Sequence, residues 1–151
     1  MKSTDIKGLS VWVDWSLGAV ESAPSAPGVY ILRMEGQKEL RRVIGSSDIV
    51  YIGSSKKRTI KDRLKGHFRK NRALDRVCKN VGQLEVAWRS FATDENVELC
   101  ECELIGRYEQ DHVDLPPVNR TQPLAKWQEL RKDERPEIQR MMELAPKCPM
   151  L

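Results

Sequence analysis

The sequence predicts an α+β domain, a small central antiparallel sheet of three or more strands flanked by helices. Two observations predict it. Short β-rich runs, GVYILRM (28–34), LRRVI (40–44) and IVYI (49–52), succeed one another across turns too short for a parallel crossover. Beyond them, apolar residues recur at helical spacing: Ile60, Leu64 and Phe68, then Val97, Leu104, Ile105 and Tyr108.

Up to about Ala26, LSVWVDW fits either a strand or a short helix, and APSAPG is a turn-rich entry to the first β-rich run. Gly28 and Gly36 bound that first strand. Gly45-Ser46-Ser47-Asp48 supplies the turn before the third, so the three runs read as an antiparallel meander. Tyr51 stands in the last run, which breaks at Gly53 and gives way to a basic segment. Thr59 caps a helix to about Arg69, and a second short helix covers Arg72 to Lys79. In LEVAWRSF (84–91), Leu84, Val86 and Trp88 alternate onto one face of a strand. Thr93 or Asp94 starts a helix to about Glu109, and Asp114-Leu115-Pro116-Pro117 forms a loop reaching Asn119. Trp127 falls in a short helix. A last helix starts near Pro136 with Ile138, Met141, Met142 and Ala145 on one face. The expected organisation is an N-terminal extension over 1–27, a domain over 28–120 and a helical tail over 121–151 of the same unit.

Composition narrows the function. A chain of 151 residues can bury a core without staples. Its longest apolar runs are too short to cross a bilayer, and the start lacks a signal peptide's apolar stretch, so an intracellular, cytoplasmic protein is expected. Cys78, Cys100, Cys102 and Cys148 have neither zinc-knuckle nor disulfide-scaffold spacing and read as buried thiols. The net charge is only +4, but eleven lysines and arginines face two aspartates between Ser55 and Lys79. A solvated helix normally mixes signs. A one-signed block points to a polyanion, nucleic acid above all, with Lys56, Lys57, Arg58, Lys61, Lys65, Arg69 and Lys70 as its candidate contacts.

Three groups could carry chemistry. On the 94–109 helix, about 100° per residue puts Glu101 inside the apolar stripe, whereas Glu103 falls on the polar side with Arg107. An inward carboxylate needs a cation, a donor or a metal; an internal salt bridge and a metal site both satisfy it. Arg63 and His67, at i and i+4, share one helical edge. Arginine can grip a phosphate bidentately, and histidine can hold or pass a proton. Tyr30 and Tyr51 come from strands expected to be neighbours, and Asn119 comes after two prolines in a turn.

In chain order, Gly28-Val29-Tyr30, Tyr51-Ile52-Gly53, Arg63-x-x-x-His67, Leu99-x-Glu101-x-x-Leu104-Ile105 and Pro117-Val118-Asn119 resemble the GIY-YIG nuclease domain over about 28–119. The resemblance implies a three-stranded antiparallel sheet with flanking helices, and an endonuclease hydrolysing DNA phosphodiesters with one divalent cation, Mg2+ or Mn2+. It implies that Glu101 holds the metal. Tyr30, Tyr51, Arg63 and His67 line the site, and Asn119 supports it. Arg63 would lower the pKa of a tyrosine, with Tyr30 as base or water-orienting group, Tyr51 on the phosphate side and His67 accepting the tyrosine proton. The sequence departs from the family pattern in two places. The first motif reads GVY, and the spacing from Tyr30 to Tyr51 exceeds the family's usual one by about ten residues. That insertion carries Arg33, Lys38, Arg41 and Arg42, either as surface elaboration or as added DNA contacts. One site per chain makes a homodimer or larger homo-oligomer attractive for cutting both strands of double-stranded or branched DNA. The alternatives are a nucleic-acid-binding module that keeps the fold without cutting, and a basic RNA-associated protein in which Arg63, His67 and Glu101 lie far apart.

Overall fold

The computed structural model describes residues 1–120. A four-stranded antiparallel sheet carries the domain. Its strands are β1 (Val13–Asp14), β2 (Gly28–Met34), β5 (Ile49–Ser55) and β6 (Leu84–Ser90), in the order β1-β6-β2-β5. All seven residues of β2 are buried, as its near-continuous apolar run demands of a central strand. It pairs Gly28 to Met34 with Ser90 to Leu84 on one side, and Gly28 to Arg33 with Ser55 to Ile49 on the other.

The three runs do not form the expected meander. LRRVI stays out of the sheet. It contributes β3 (Leu40–Arg41), which pairs with β4 (Ser46–Ser47) in a separate two-stranded ribbon, and β2 pairs directly with β5. The run is too polar to be central: Arg41, Val43 and Ile44 are exposed, and Gly45 turns the ribbon at a φ of 70°. The ribbon docks on the end of the long helix α4 (Glu95–His112), where the Ile44 amide donates to the His112 carbonyl at 3.2 Å. Nor does the third run break at Gly53, since β5 continues to Ser55. A bulge between Leu32/Tyr51 and Arg33/Ile49 leaves Val50 extra, so Ile49 and Ile52 reach the same core despite their odd spacing.

Helices cover both faces of the sheet. α1 (Leu17–Ser22), α2 (Ile60–Lys70) and α3 (Arg72–Asn80) lie over Tyr30, Leu32, Met34 and Val86, burying Ile60, Leu64 and Leu74. Thr59 caps α2 by accepting from the Asp62 amide at 3.1 Å. Phe68 sits at the rim of the stripe, 37% exposed, and meets the Trp15 ring edge-on at 5.5 Å. On the opposite face, α4 packs Val97, Leu104, Ile105 and Tyr108 against Val29, Ile31, Ile49 and Ile52, together with Met1 and Ile6. α4 starts after Asp94, whose carboxylate accepts from the Lys57 amide rather than capping its own helix. It runs three residues past the expected end, and Val113 stops it in a left-handed conformation.

Cys78 and Cys102 are free thiols, the first half-buried and the second buried. The expected helices around Trp127 and beyond Pro136 lie outside the described residues. Among the described residues no helix is long and apolar enough to cross a membrane.

Candidate active site

The candidate site wraps round the free edge of β5. On the α2 face, Tyr30 of β2 and Tyr51 of β5 place their rings 6.0 Å apart. Gly53, opposite Tyr30 in the register, makes this possible: a Cβ there would lie 2.6 Å from Tyr30 Cζ and 2.6 Å from Tyr51 Cε1. His67 closes the group, 5.6 Å from the Tyr30 ring and 5.0 Å from that of Tyr51. Its Nε2 lies 2.7 Å from Tyr30 Oη and its Nδ1 2.9 Å from Asn71 Nδ2. Arg63, one turn before His67 on α2, is exposed at the mouth.

From the other face of the sheet, α4 brings Glu101 to the same edge. Ser54 Oγ donates to Glu101 Oε2 at 2.7 Å. Among the described residues no lysine or arginine lies within ion-pairing distance of that carboxylate, so the internal salt bridge open at the sequence level is not formed there. Asn119 seals the edge strand. Its amide donates to the Ile52 carbonyl at 2.8 Å and its carbonyl accepts from the Ile52 amide at 3.0 Å, next to the tyrosine. Two hollows that share Arg63 and Glu101 result. One of about 580 Å³ is lined by Tyr51, Arg63, His67, Glu101 and Asn119, and a smaller one of about 380 Å³ by Ser54, Arg58, Arg63 and Glu101.

Burial governs the electrostatics. The Tyr30 phenol is pushed well above its ordinary value by burial and then by Tyr51, which outweighs the opposite pull of Arg63. Tyr51 is also raised, by burial and by Glu101, while Arg63 and a hydrogen bond from Tyr30 act against the rise. The expected influence of Arg63 on the tyrosines therefore has the right sign but not the greater weight. Glu101 is raised by burial, opposed by its Ser54 hydrogen bond and by Arg63. Burial, then Arg63, bring His67 down to about 4.

Residues 26–113 match the family model described as the GIY-YIG catalytic domain, more than half of the chain. The chain belongs to the GIY-YIG family. Among solved structures it is similar to the GIY-YIG N-terminal endonuclease domain of UvrC from Thermotoga maritima, whose crystal structure has its catalytic divalent cation, magnesium, bound. The identity is 21% over 68% of this chain and 93% of that one, with a TM-score of 0.47. No curated protein matches significantly.

In this GIY-YIG domain all six motif positions meet at one strand edge, which is not the dispersed arrangement of the RNA-associated alternative. The expected DNA contacts divide. Lys56 is paired with Glu98 at 2.6 Å and Lys65 with Glu21 at 3.9 Å, whereas Lys70 and Arg58 line the two hollows. Lys57, Lys61 and Arg69 lie on the surface of the same basic segment. In the insertion, Arg33 is buried between Glu85 and the Trp12 ring, Arg42 binds Asp114 and the Leu115 carbonyl, and Lys38 donates to the Val81 carbonyl. These three brace the fold, and Arg42 holds the loop that leads to Asn119. Sequence reasoning missed Ser54, Asn71 and Arg120. Ser54 carries a readable signal, since it alternates away from Tyr51 toward the α4 face. Asn71, between two helices, reads only as a cap.

The lowered pKa of His67 has a measurable consequence for stability. The unfolded chain takes up a proton near pH 6.5, whereas the native imidazole resists one down to about 4. Its contribution is therefore complete above the unfolded value and is lost as pH falls through that window. Allowing for partial exposure, urea unfolding between these pH values is expected to show about 2 kcal/mol less stability at the lower end. His67→Gln should remove that component of the slope. An unchanged slope in the variant would contradict the burial assigned to His67.

Proposed function

We propose that this GIY-YIG protein is a metal-dependent DNA endonuclease hydrolysing phosphodiesters at the single site on the β5 edge. The observation that carries this reading is Glu101, a largely buried carboxylate with one hydroxyl donor and no ion-pair partner among the described residues. It faces a hollow that also holds Arg63 and Tyr51. A fold kept only for binding has no use for so costly a group.

The donor set fits a hard divalent cation. Among the described residues no cluster of three or more acidic, histidine or cysteine side chains surrounds the site. Magnesium is characteristically held by one or two carboxylates, with waters and substrate phosphates completing the shell. Glu101 would hold Mg2+ or Mn2+, with Ser54 fixing the carboxylate's orientation. When bound, such a cation polarises the phosphate and stabilises the leaving oxygen.

The chain's own residues do the rest. Arg63, exposed and always charged, binds the non-bridging oxygens of the phosphate. Tyr51 faces the hollow, whereas Tyr30 is fully buried behind it. In this reading Tyr51, and not Tyr30 as expected, meets the attacking water, and Tyr30 supports Tyr51. His67, neutral near pH 7, belongs to the same supporting layer. Asn119 holds the Tyr51–Ile52 backbone in place. The basic segment with Arg58, Lys70 and Arg72 supplies salt-sensitive affinity for the DNA backbone. Residues 1–27 act as part of the same unit, the protein works inside the cell, and cutting both strands brings two copies together.

Nicking of supercoiled plasmid with Mg2+ or Mn2+ tests the reading. Cleavage is expected with either ion, and an excess of chelator should abolish it while DNA retention in a gel shift persists. Binding without cleavage under every metal condition would establish the non-cutting module instead.

A further inference from the structure

Asn71 belongs to no motif of the site, yet it touches the site's histidine. It is the residue between α2 and α3, and its side chain faces two ways. The Leu74 amide donates to Asn71 Oδ1 at 3.1 Å, which caps α3. A backbone N–H can only donate, so the atom at the cap is the oxygen. The atom left for His67 is the amide nitrogen, which also can only donate. At 2.9 Å it requires a lone pair on His67 Nδ1. A neutral imidazole with a bare Nδ1 carries its proton on Nε2. At 2.7 Å, Nε2–H then donates to Tyr30 Oη. With an oxygen that accepts from His67, Tyr30 is free to donate its own proton onward, and the Tyr51 ring stands beside it on the cleft side, 6.0 Å between centroids.

We infer that Asn71 is a positioning residue which, by capping α3 with its oxygen, fixes the Nε2–H tautomer of His67 and so directs a chain of hydrogen bonds from Asn71 through His67 to Tyr30, leaving the Tyr30 proton free to turn toward Tyr51. Each link donates toward the cleft. The chain turns the Tyr30 hydroxyl proton away from His67 and toward Tyr51, the tyrosine that meets water. His67 in this tautomer is a donor to Tyr30 and not an acceptor of its proton, unlike the role implied by the family resemblance. Burial, and after it Arg63, keep the imidazole neutral. The catalytic consequence rests on the nuclease reading; the tautomer does not.

Asn71→Asp separates the two. Aspartate caps a helix as well as asparagine does, so the fold is kept. A carboxylate offers His67 only acceptors, which reverses the tautomer to Nδ1–H and turns Tyr30 to donate back toward Nε2. With only His67 and His112 in the sequence, 15N NMR of the imidazoles at about pH 8, where His67 is neutral, reads its tautomer directly, and His112→Gln assigns the signals. The expected result is Nε2–H at His67 in the parent protein and Nδ1–H in Asn71→Asp. Plasmid nicking by the variant should be about 10- to 100-fold slower in kcat, with little change in KM. A parent protein with Nδ1–H, or a variant that leaves the tautomer unchanged, would overturn the chain. Reversal of the tautomer with undiminished cleavage would overturn its role. An inactive parent protein with the expected tautomers would remove the nuclease reading and leave the chain standing.

Discussion

Glu101→Ala is expected to lower metal-dependent cleavage by about 10³-fold, on the order of 4 kcal/mol at the transition state. DNA affinity should stay within a few-fold of the parent. The two effects separate because they come from different side chains. Affinity is expected to come from the exposed cations around Arg58 and Lys70, since basic side chains neutralise phosphates wherever they fall along the backbone. Glu101 adds nothing to that attraction, and its own charge opposes it. Stability should not fall, because the substitution removes a largely buried carboxylate that has a single donor, Ser54 Oγ. Glu101→Gln keeps the size of the side chain but removes the charge that a cation requires, and should be nearly as inactive. A melting temperature at or above that of the parent, together with lost nicking, identifies a residue kept for chemistry. Cleavage at parental rates would remove Glu101 from the metal site.

Glu101 also shows what the sequence could and could not reveal. Its inward register comes from helical geometry alone. The same wheel put Glu103 on the polar side with Arg107, yet Glu103 is 3% exposed, and Arg107 Nε reaches its carboxylate at 2.8 Å. A wheel assumes one buried face, whereas α4 buries residues around most of its circumference, from Val97 and Cys100 to Cys102 and Gly106. The strands from 28 and 84 and the helices from 60 and 72 were legible because propensity, periodicity and caps agree there. LRRVI misled because its composition suits a strand while its neighbours already supply both partners of β2. The link from His67 to Tyr30 came only through the family resemblance, for a related reason. It depends on how α2 lies over the sheet, and no local pattern records that.

The second large effect belongs to Gly53. Gly53→Ala is expected to cost about 1–3 kcal/mol in stability, as overpacking does in a filled core. It should lower cleavage by about 10²-fold, because a misplacement of roughly 1 Å in a reacting group has that scale of effect. The added methyl would lie 2.6 Å from Tyr30 Cζ, 2.7 Å from Tyr30 Oη and 2.6 Å from Tyr51 Cε1. Relief requires a ring to move, and the two rings are not equally free. Tyr30 has no exposed surface and is hydrogen-bonded to His67, whereas Tyr51 is half-buried and borders the hollow. Tyr51 should therefore yield, swinging toward the space in which a phosphate has to lie. Gly18→Ala is a useful control, because its Cβ would meet only Ser16 Oγ at an ordinary 3.7 Å. It lies within α1, where alanine favours the helix by about 0.5–1 kcal/mol. Urea unfolding and plasmid nicking on both variants separate a general response to alanine from a local one. If Gly53→Ala matched Gly18→Ala in stability and cleavage, the tyrosine pair would not need the missing side chain. If only Gly53→Ala lost both, the glycine of the tyrosine strand would be explained by the two rings packed over it and not by a bend in the chain.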